Sequence, residues 1–129
     1  MAPLHITVLG PPVTKKNHGR MVPLGRTGRT ILLPSKPYVQ WLEASWPQAR
    51  RQWFAMFGRT LTTACAVTAT VYRVRRTGDL DNFLAAAGDM LQHAGVVKND
   101  RLIRSWDGSR LEKDAERPRL ELLITPLET

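Results

Sequence analysis

The sequence predicts a single α+β domain, a mixed β-sheet with two main helices packed on it, spanning residues 1–129. Three observations predict it. Apolar residues recur at steps of three or four over two stretches, near 35–58 and 79–95, as an amphipathic helix requires. Other stretches, such as 5–9, 67–72 and 120–124, alternate apolar with polar residues at the strand period. The two kinds interleave in the order β, loop, α, β, α, β, β, which suits one mixed sheet. No internal repeat, low-complexity tract or linker divides the chain.

His5 to Leu9 reads as a first strand, stopped by Gly10-Pro11-Pro12. Residues 13–30 form a polar, basic, glycine-containing stretch with Lys15, Lys16, Asn17, Arg20, Arg26 and Arg29. It reads as a mobile loop or a loose hairpin, with Ile31-Leu32-Leu33 as a short strand; loops of this length usually serve a function. Ser35 is placed as an N-cap with Pro37 in the first turn. Val39, Leu42, Trp46, Ala49, Trp53 and Phe57 then mark one helical face, with Gly58 as its stop. Pro47 lies inside that pattern without an N–H to give, so a kink or break is expected near Ser45. The tryptophans here read as core rather than as a stacking platform.

Val67, Ala69 and Val71 alternate with Thr68, Thr70 and Tyr72, the mark of a long strand that runs into Arg73, Arg75 and Arg76. A second helix follows, with Leu80, Phe83, Leu84, Ala87, Leu91 and Ala94 on one face and Gly95 closing it. Val96-Val97-Lys98 is short and extended, and Asn99-Asp100 is a turn. Residues 102–113 make a strand interrupted at Asp107-Gly108, and Leu120, Leu122 and Ile124 belong to the last strand.

Composition narrows the function classes. At 43% hydrophobic and 23% charged residues the chain is ordinary globular material. Its apolar runs are too short to span a membrane, and MAPLHITVLG has no signal-peptide pattern. The single cysteine, Cys65, cannot pair within the chain and reads as a small buried hydrophobe. The formal net charge is +8, unevenly spread: residues 1–78 carry 12 basic residues against Glu43 alone (+11), while 79–129 carry seven basic and ten acidic (−3). Such a basic region suits a polyanion, and with no separate basic amphipathic helix that polyanion is nucleic acid rather than lipid. Solubility alone would explain the charge but not the four aspartates that follow, Asp79, Asp81, Asp89 and Asp100. Carboxylates weaken DNA binding; DNA cleavage uses them.

Gly78-Asp79-Leu80-Asp81-Asn82 lies where a strand becomes a helix. In extended backbone residues two apart point the same way; once wound into a helix they diverge by about 200°. Joint action of Asp79 and Asp81 therefore requires the helix to begin at or after Asp81, with Asp100 returning to the same place. Three converging carboxylates suit Mg²⁺, or Mn²⁺ in its stead, completed by water and substrate phosphate. Such an ion would polarise a phosphodiester and activate water. Against this stands a simple alternative, that Asp79 or Asp81 caps the helix. No EF-hand spacing is present, and His5, His18 and His93 show no zinc spacing. His93 reads as a surface residue or a partner for the helix dipole.

The run Arg75-Arg76-Thr77-Gly78-Asp79-Leu80-Asp81-Asn82-Phe83, then Ala87-Gly88-Asp89-Met90-Leu91, then Asn99-Asp100-Arg101-Leu102-Ile103 resembles the RusA-type Holliday-junction resolvases. In that family a basic strand enters D-x-D-N, a helix carries a further Asp, and a D-D-x-x-[IV] turn follows. Pro11-Pro12 with Asn17, and the closing Arg119 to Ile124, are similar to the family's first loop and last strand. The resemblance implies a RusA-like fold, a homodimer, and Mg²⁺-dependent paired cuts in a four-way DNA junction during recombination or repair. It implies Asp79, Asp81 and Asp100 as catalytic metal ligands, with Asp89 and Asn82 supporting them. No small-molecule cofactor and no membrane partner are expected, and the expected setting is the cytoplasm of a prokaryote or a phage-infected host. Two departures stand out: a lysine that many members carry is replaced here by Ala85, and the first Asp of the D-D turn is Asn99. Lys15 or Lys16, with Lys98 as second choice, is expected to supply the missing cation. Lys15, Lys16, Arg20, Arg73, Arg75, Arg76 and Lys98 are the expected DNA contacts, through phosphates rather than bases.

Overall fold

A computed structural model describes residues 2–14, 20–33 and 35–127. Its strands are β1 (Leu4–Leu9), β2 (Arg20–Leu24), β3 (Arg29–Leu33), β4 (Cys65–Arg73), β5 (Ile103–Ser105), β6 (Arg110–Lys113) and β7 (Arg119–Pro126); its helices are α1 (Lys36–Met56) and α2 (Leu80–His93). The main sheet runs β1-β7-β4, with β5 and β6 both on the far side of β4. β1 and β4 are antiparallel to β7, whereas β5 and β6 run parallel to β4. The predicted mixed α+β sheet with two helices is thus what the chain forms.

Period-two alternation sorts the sheet into faces. Ile6, Val8, Val67, Ala69, Val71, Leu120, Leu122 and Ile124 are buried on one side, against Tyr38, Trp41, Ala49 and Trp53 of α1 and Phe83, Ala87, Met90 and Leu91 of α2. The alternate residues His5, Thr68, Thr70, Tyr72, Glu121 and Leu123 line an open groove on the other side. On that side Arg119 lies 3.8 Å from the Tyr72 ring centre and pairs with Asp114 (2.8 Å) and Glu121 (2.9 Å). Part of the acid of the C-terminal half is therefore spent on its own arginine. Cys65 is buried, and burial pushes its thiol up to about 11.

Of the kink or break expected near Ser45, the break is absent: helix α1 continues through Pro47. Near the proline, Ser45 Oγ donates to the Leu42 carbonyl (3.1 Å) and Gln48 Nε2 to the Ala44 carbonyl (2.9 Å). The helix is also tied to the sheet. Gln52 accepts the Thr7 N–H (2.9 Å) and donates to the Thr7 carbonyl (2.7 Å), and Gln48 does the same for Leu9 (2.9 and 3.2 Å). Four residues of helix rise about 6 Å and two residues of strand about 6.7 Å, so an i, i+4 glutamine pair can stand in for a neighbouring strand. It satisfies the edge of β1, which would otherwise be open to pairing. Trp53 is core, as predicted, and its indole N–H donates to the Arg59 carbonyl (2.8 Å). The buried face of α1 runs through Tyr38, Trp41, Ser45, Ala49 and Trp53, so Trp41 is core where Trp46 was expected, and Val39 is exposed. Trp46 packs on His93, ring centres 5.7 Å apart.

Of the two readings of residues 13–30, the hairpin is the one the described residues take: β2 and β3 pair antiparallel, separate from the main sheet. The 102–113 strand is interrupted where expected, with β5 and β6 flanking the turn at Asp107-Gly108.

Candidate nucleic-acid cleft and its aspartates

The chain leaves β4 through a junction built by Arg73. Its guanidinium donates to the Thr77 carbonyl (2.6 Å) and Oγ1 (3.3 Å) and lies 4.8 Å from the Phe83 ring centre. Gly78 follows with φ +109°, and a β-carbon there would fall 2.7 Å from Phe83 Cε2, so the tight approach of junction to helix needs glycine. Arg73, read as a DNA contact from sequence, is thus engaged in holding this turn. Arg75 and Arg76 are exposed beside it.

Asp79 has extended backbone angles (φ −102°, ψ 117°), and its Oδ1 accepts the Asp81 N–H at 3.1 Å. It is the N-cap of α2. The helix therefore starts at Leu80, one residue too early for Asp79 and Asp81 to point together. They separate as helical geometry demands. Asp79 lines one cleft of about 220 Å³ with Val13, Thr14, Arg73, Asn82 and Phe83. Asp81 lines another of about 320 Å³ with Leu84, Ala85, Gly88, Asp100, Ile103 and Trp106. Of the three carboxylates expected to converge, Asp81 and Asp100 border one cleft and Asp79 borders the adjacent one. Among the described residues no three His, Cys, Asp or Glu side chains form a metal-binding group.

Asp100 reaches the second cleft because α2 holds its turn. Gln92 Oε1 accepts the Asp100 N–H (2.9 Å), and Asn99 Oδ1 accepts the Arg101 N–H (2.9 Å), capping a short 3₁₀ turn over Asp100–Leu102. Asparagine caps as well as aspartate, so Asn99 keeps the turn that the resemblance assigns to Asp-Asp. Asp81 and Gly88 lie two turns apart on one face of α2, about 10 Å along the axis. The Asp100 β-carbon stands 3.7 Å from where a β-carbon on Gly88 would be. The β-carbons of Asp81 and Asp100 therefore lie between about 7 and 14 Å apart, and two aspartate side chains with a magnesium ion at bonds of about 2 Å bridge the lower end of that range. Magnesium needs only one or two carboxylates beside water and phosphate. In number of carboxylates the pair meets that requirement.

The remaining predicted residues fall around this cleft or away from it. Asn82 borders the Asp79 cleft and donates its N–H to the Asp79 carbonyl (3.1 Å). Asp89 accepts a hydrogen bond from the Tyr38 hydroxyl. It joins α2 to α1, so its support is architectural. Burial first, then the bond to Asp89 and its charge, hold the Tyr38 phenol above its ordinary value. Lys98 is exposed between α2 and the Asp100 turn. Arg20 begins β2. Lys15 and Lys16 lie outside the described residues; Thr14, just before them, lines the Asp79 cleft.

Sequence reading missed Trp106, Leu84 and Ile103 as cleft walls. It also passed over Arg101 and Arg104, exposed on the segment that carries Asp100. The only sequence signal for Trp106 was a large aromatic beside the Asp107-Gly108 turn, where core packing is not required. Among the described residues no helix is long and apolar enough to cross a membrane. No protein-family model and no curated protein matches the chain.

Proposed function

We propose that the chain is a metal-dependent endodeoxyribonuclease of the RusA type, cutting four-way DNA junctions in recombination or repair. The observation that carries the reading is Asp81 and Asp100 sharing one open cleft, with the exposed cations Lys98 and Arg101 next to Asp100 in the chain and Arg75 and Arg76 ahead of α2. Two carboxylates repel each other and repel DNA; set among cations, they suit an ion and a phosphate together. Asp81 and Asp100 hold Mg²⁺, with Mn²⁺ as the alternative, and the bound ion supplies Lewis acidity at the phosphodiester. Lys98 and Arg101, beside Asp100 in the chain, hold the phosphate backbone at the cleft, and Arg75 and Arg76 hold a neighbouring arm, so affinity falls steeply with salt. Asp79 acts as a positioning residue, fixing where α2 begins and so where Asp81 stands. Paired cuts need two clefts, one from each chain of a homodimer, whose two-fold axis matches the approximate symmetry of a junction. The proposed setting is the cytoplasm of a prokaryote or of a phage-infected host.

The test incubates the protein with a labelled four-way junction, a flap and linear duplex, in Mg²⁺ and in EDTA. Symmetric nicks confined to the junction and dependent on Mg²⁺ are the expected result; cutting of all three substrates would make it a general branched-DNA nuclease. Asp81→Asn is expected to abolish cutting and to keep or raise junction affinity, because it removes negative charge beside phosphate. A second reading, a non-catalytic junction-binding module, is favoured by the capping role of Asp79. Binding without cutting by the wild-type protein would establish it.

A further inference from the structure

We propose that the Asp81–Asp100 cleft receives a nucleotide unstacked from its strand, its base laid on the indole of Trp106. The inference rests on the nuclease reading of this cleft and names what lies beside the cut.

The cleft has two chemistries. Asp81 and Asp100 are acidic, while Leu84, Ala85, Gly88, Ile103 and Trp106 offer no charge. A phosphodiester has no use for an apolar wall, since phosphate is held by cations and N–H donors. A base has: its face stacks on any aromatic ring whatever its sequence. Trp41 and Trp53 are buried and Trp46 packs on His93, so Trp106 is the tryptophan left to border an open cleft. A β-carbon on Gly88 would sit 3.6 Å from Trp106 Cζ2; glycine keeps the floor beneath the ring clear of a side chain. Ala85, where the resemblance expects a lysine, leaves the opposite wall short and uncharged.

The turn that carries Trp106 is also held in place. The Ser109 N–H donates to the Trp106 carbonyl (3.1 Å), and the Thr68 hydroxyl donates to the Asp107 carbonyl (2.9 Å). These bonds fasten the turn beside Trp106 to β4. The cleft volume, about 320 Å³, is near the lower end of small-ligand pockets, about 300–1,000 Å³. It has room for one base and its sugar. Stacking on Trp106 then requires an unpaired nucleotide beside the cut, at a branch point or by flipping it out.

The test places 2-aminopurine at the nucleotide next to the crossover of a four-way junction and keeps the DNA intact with EDTA. Emission and binding anisotropy are measured for the wild-type protein, Trp106→Phe and Trp106→Ala, each checked for folding by circular dichroism. Wild type is expected to quench the probe. Trp106→Ala is expected to lose the quenching and about 5- to 50-fold in affinity, while Trp106→Phe keeps most of both. An abasic nucleotide at the same position should weaken wild type by a similar factor and leave Trp106→Ala unaffected. Wild-type affinity and quenching in folded Trp106→Ala would overturn the proposal, as would failure of the wild-type protein to bind the junction. None of these readings needs cleavage. Stacking without cutting would retain this inference and end the nuclease reading; cutting that ignores both the Trp106→Ala change and the abasic site would do the reverse.

Discussion

Asp79 is the residue on which sequence resemblance and structure diverge most, and three substitutions separate its two roles. As N-cap it accepts the Asp81 N–H at 3.1 Å. Removing such a cap costs about 0.5–2 kcal/mol, and losing an anion at the helix N-terminus adds about 0.3–1 kcal/mol at an exposed site. For Asp79→Ala we expect about 1–2 kcal/mol in all. At about 2 cal/mol/K per residue, a chain of 129 residues has an unfolding entropy near 0.27 kcal/mol/K, so Tm falls by about 4–7 °C. Asp79→Ser and Asp79→Asn keep a capping oxygen, so their Tm should stay within about 2 °C of wild type. The assay pairs calorimetric Tm with junction cleavage in Mg²⁺. If Asp79 works only by setting the start of α2, Ser and Asn variants cut nearly as wild type, and Ala cuts less in step with its stability. A folded Asp79→Asn as inactive as Asp81→Asn would refute the reasoning. It would mean that the carboxylate of Asp79 joins Asp81 and Asp100 on the ion.

Further expectations follow from the same contacts. Gly88→Ala places a methyl at 3.6–3.9 Å from Trp106, Asp100 and Ile103, ordinary contact distances. With the gain in helix propensity it should stabilise by about 0.5–1 kcal/mol, read as a higher urea midpoint at unchanged slope; a lower midpoint would mean that this wall packs more tightly than described. Tyr38→Phe removes the hydroxyl that donates to Asp89 and should cost about 1.5–3 kcal/mol near neutral pH. Because the folded phenol titrates above its ordinary value of 10, its contribution is fully present below that pH and is lost as pH rises beyond it. Wild-type stability should therefore decline above pH 10 more steeply than that of Tyr38→Phe, as chemical denaturation across that range would record. Gln52→Ala strips two hydrogen bonds from Thr7 and exposes the β1 edge; it should lose about 1–3 kcal/mol and aggregate on partial unfolding, visible by light scattering.

Local pattern alone determined much of this protein. The stripe from Leu80 to Ala94, the alternation from Val67 to Tyr72 and the N-cap at Ser35 each depend on neighbours a few residues away, and each forms where its period places it. The same holds for the burial of Trp53 and for the interruption at Asp107-Gly108. Pro47 is different: the loss of its N–H is local, but Gln48 and Gln52, which follow it, anchor the helix to the β1 edge, which exists only once the sheet has formed. The site was legible only in part for the same reason. Asp81 and Asp100 meet in one cleft through Gln92 and the path of the chain after α2, contacts that no residue spacing encodes. Whether Asp79 joins them turned on a single residue in where a helix starts. Sequence periodicity places helix boundaries no more finely than that, whereas a rotation of about 100° per residue moves a carboxylate from one cleft to the next.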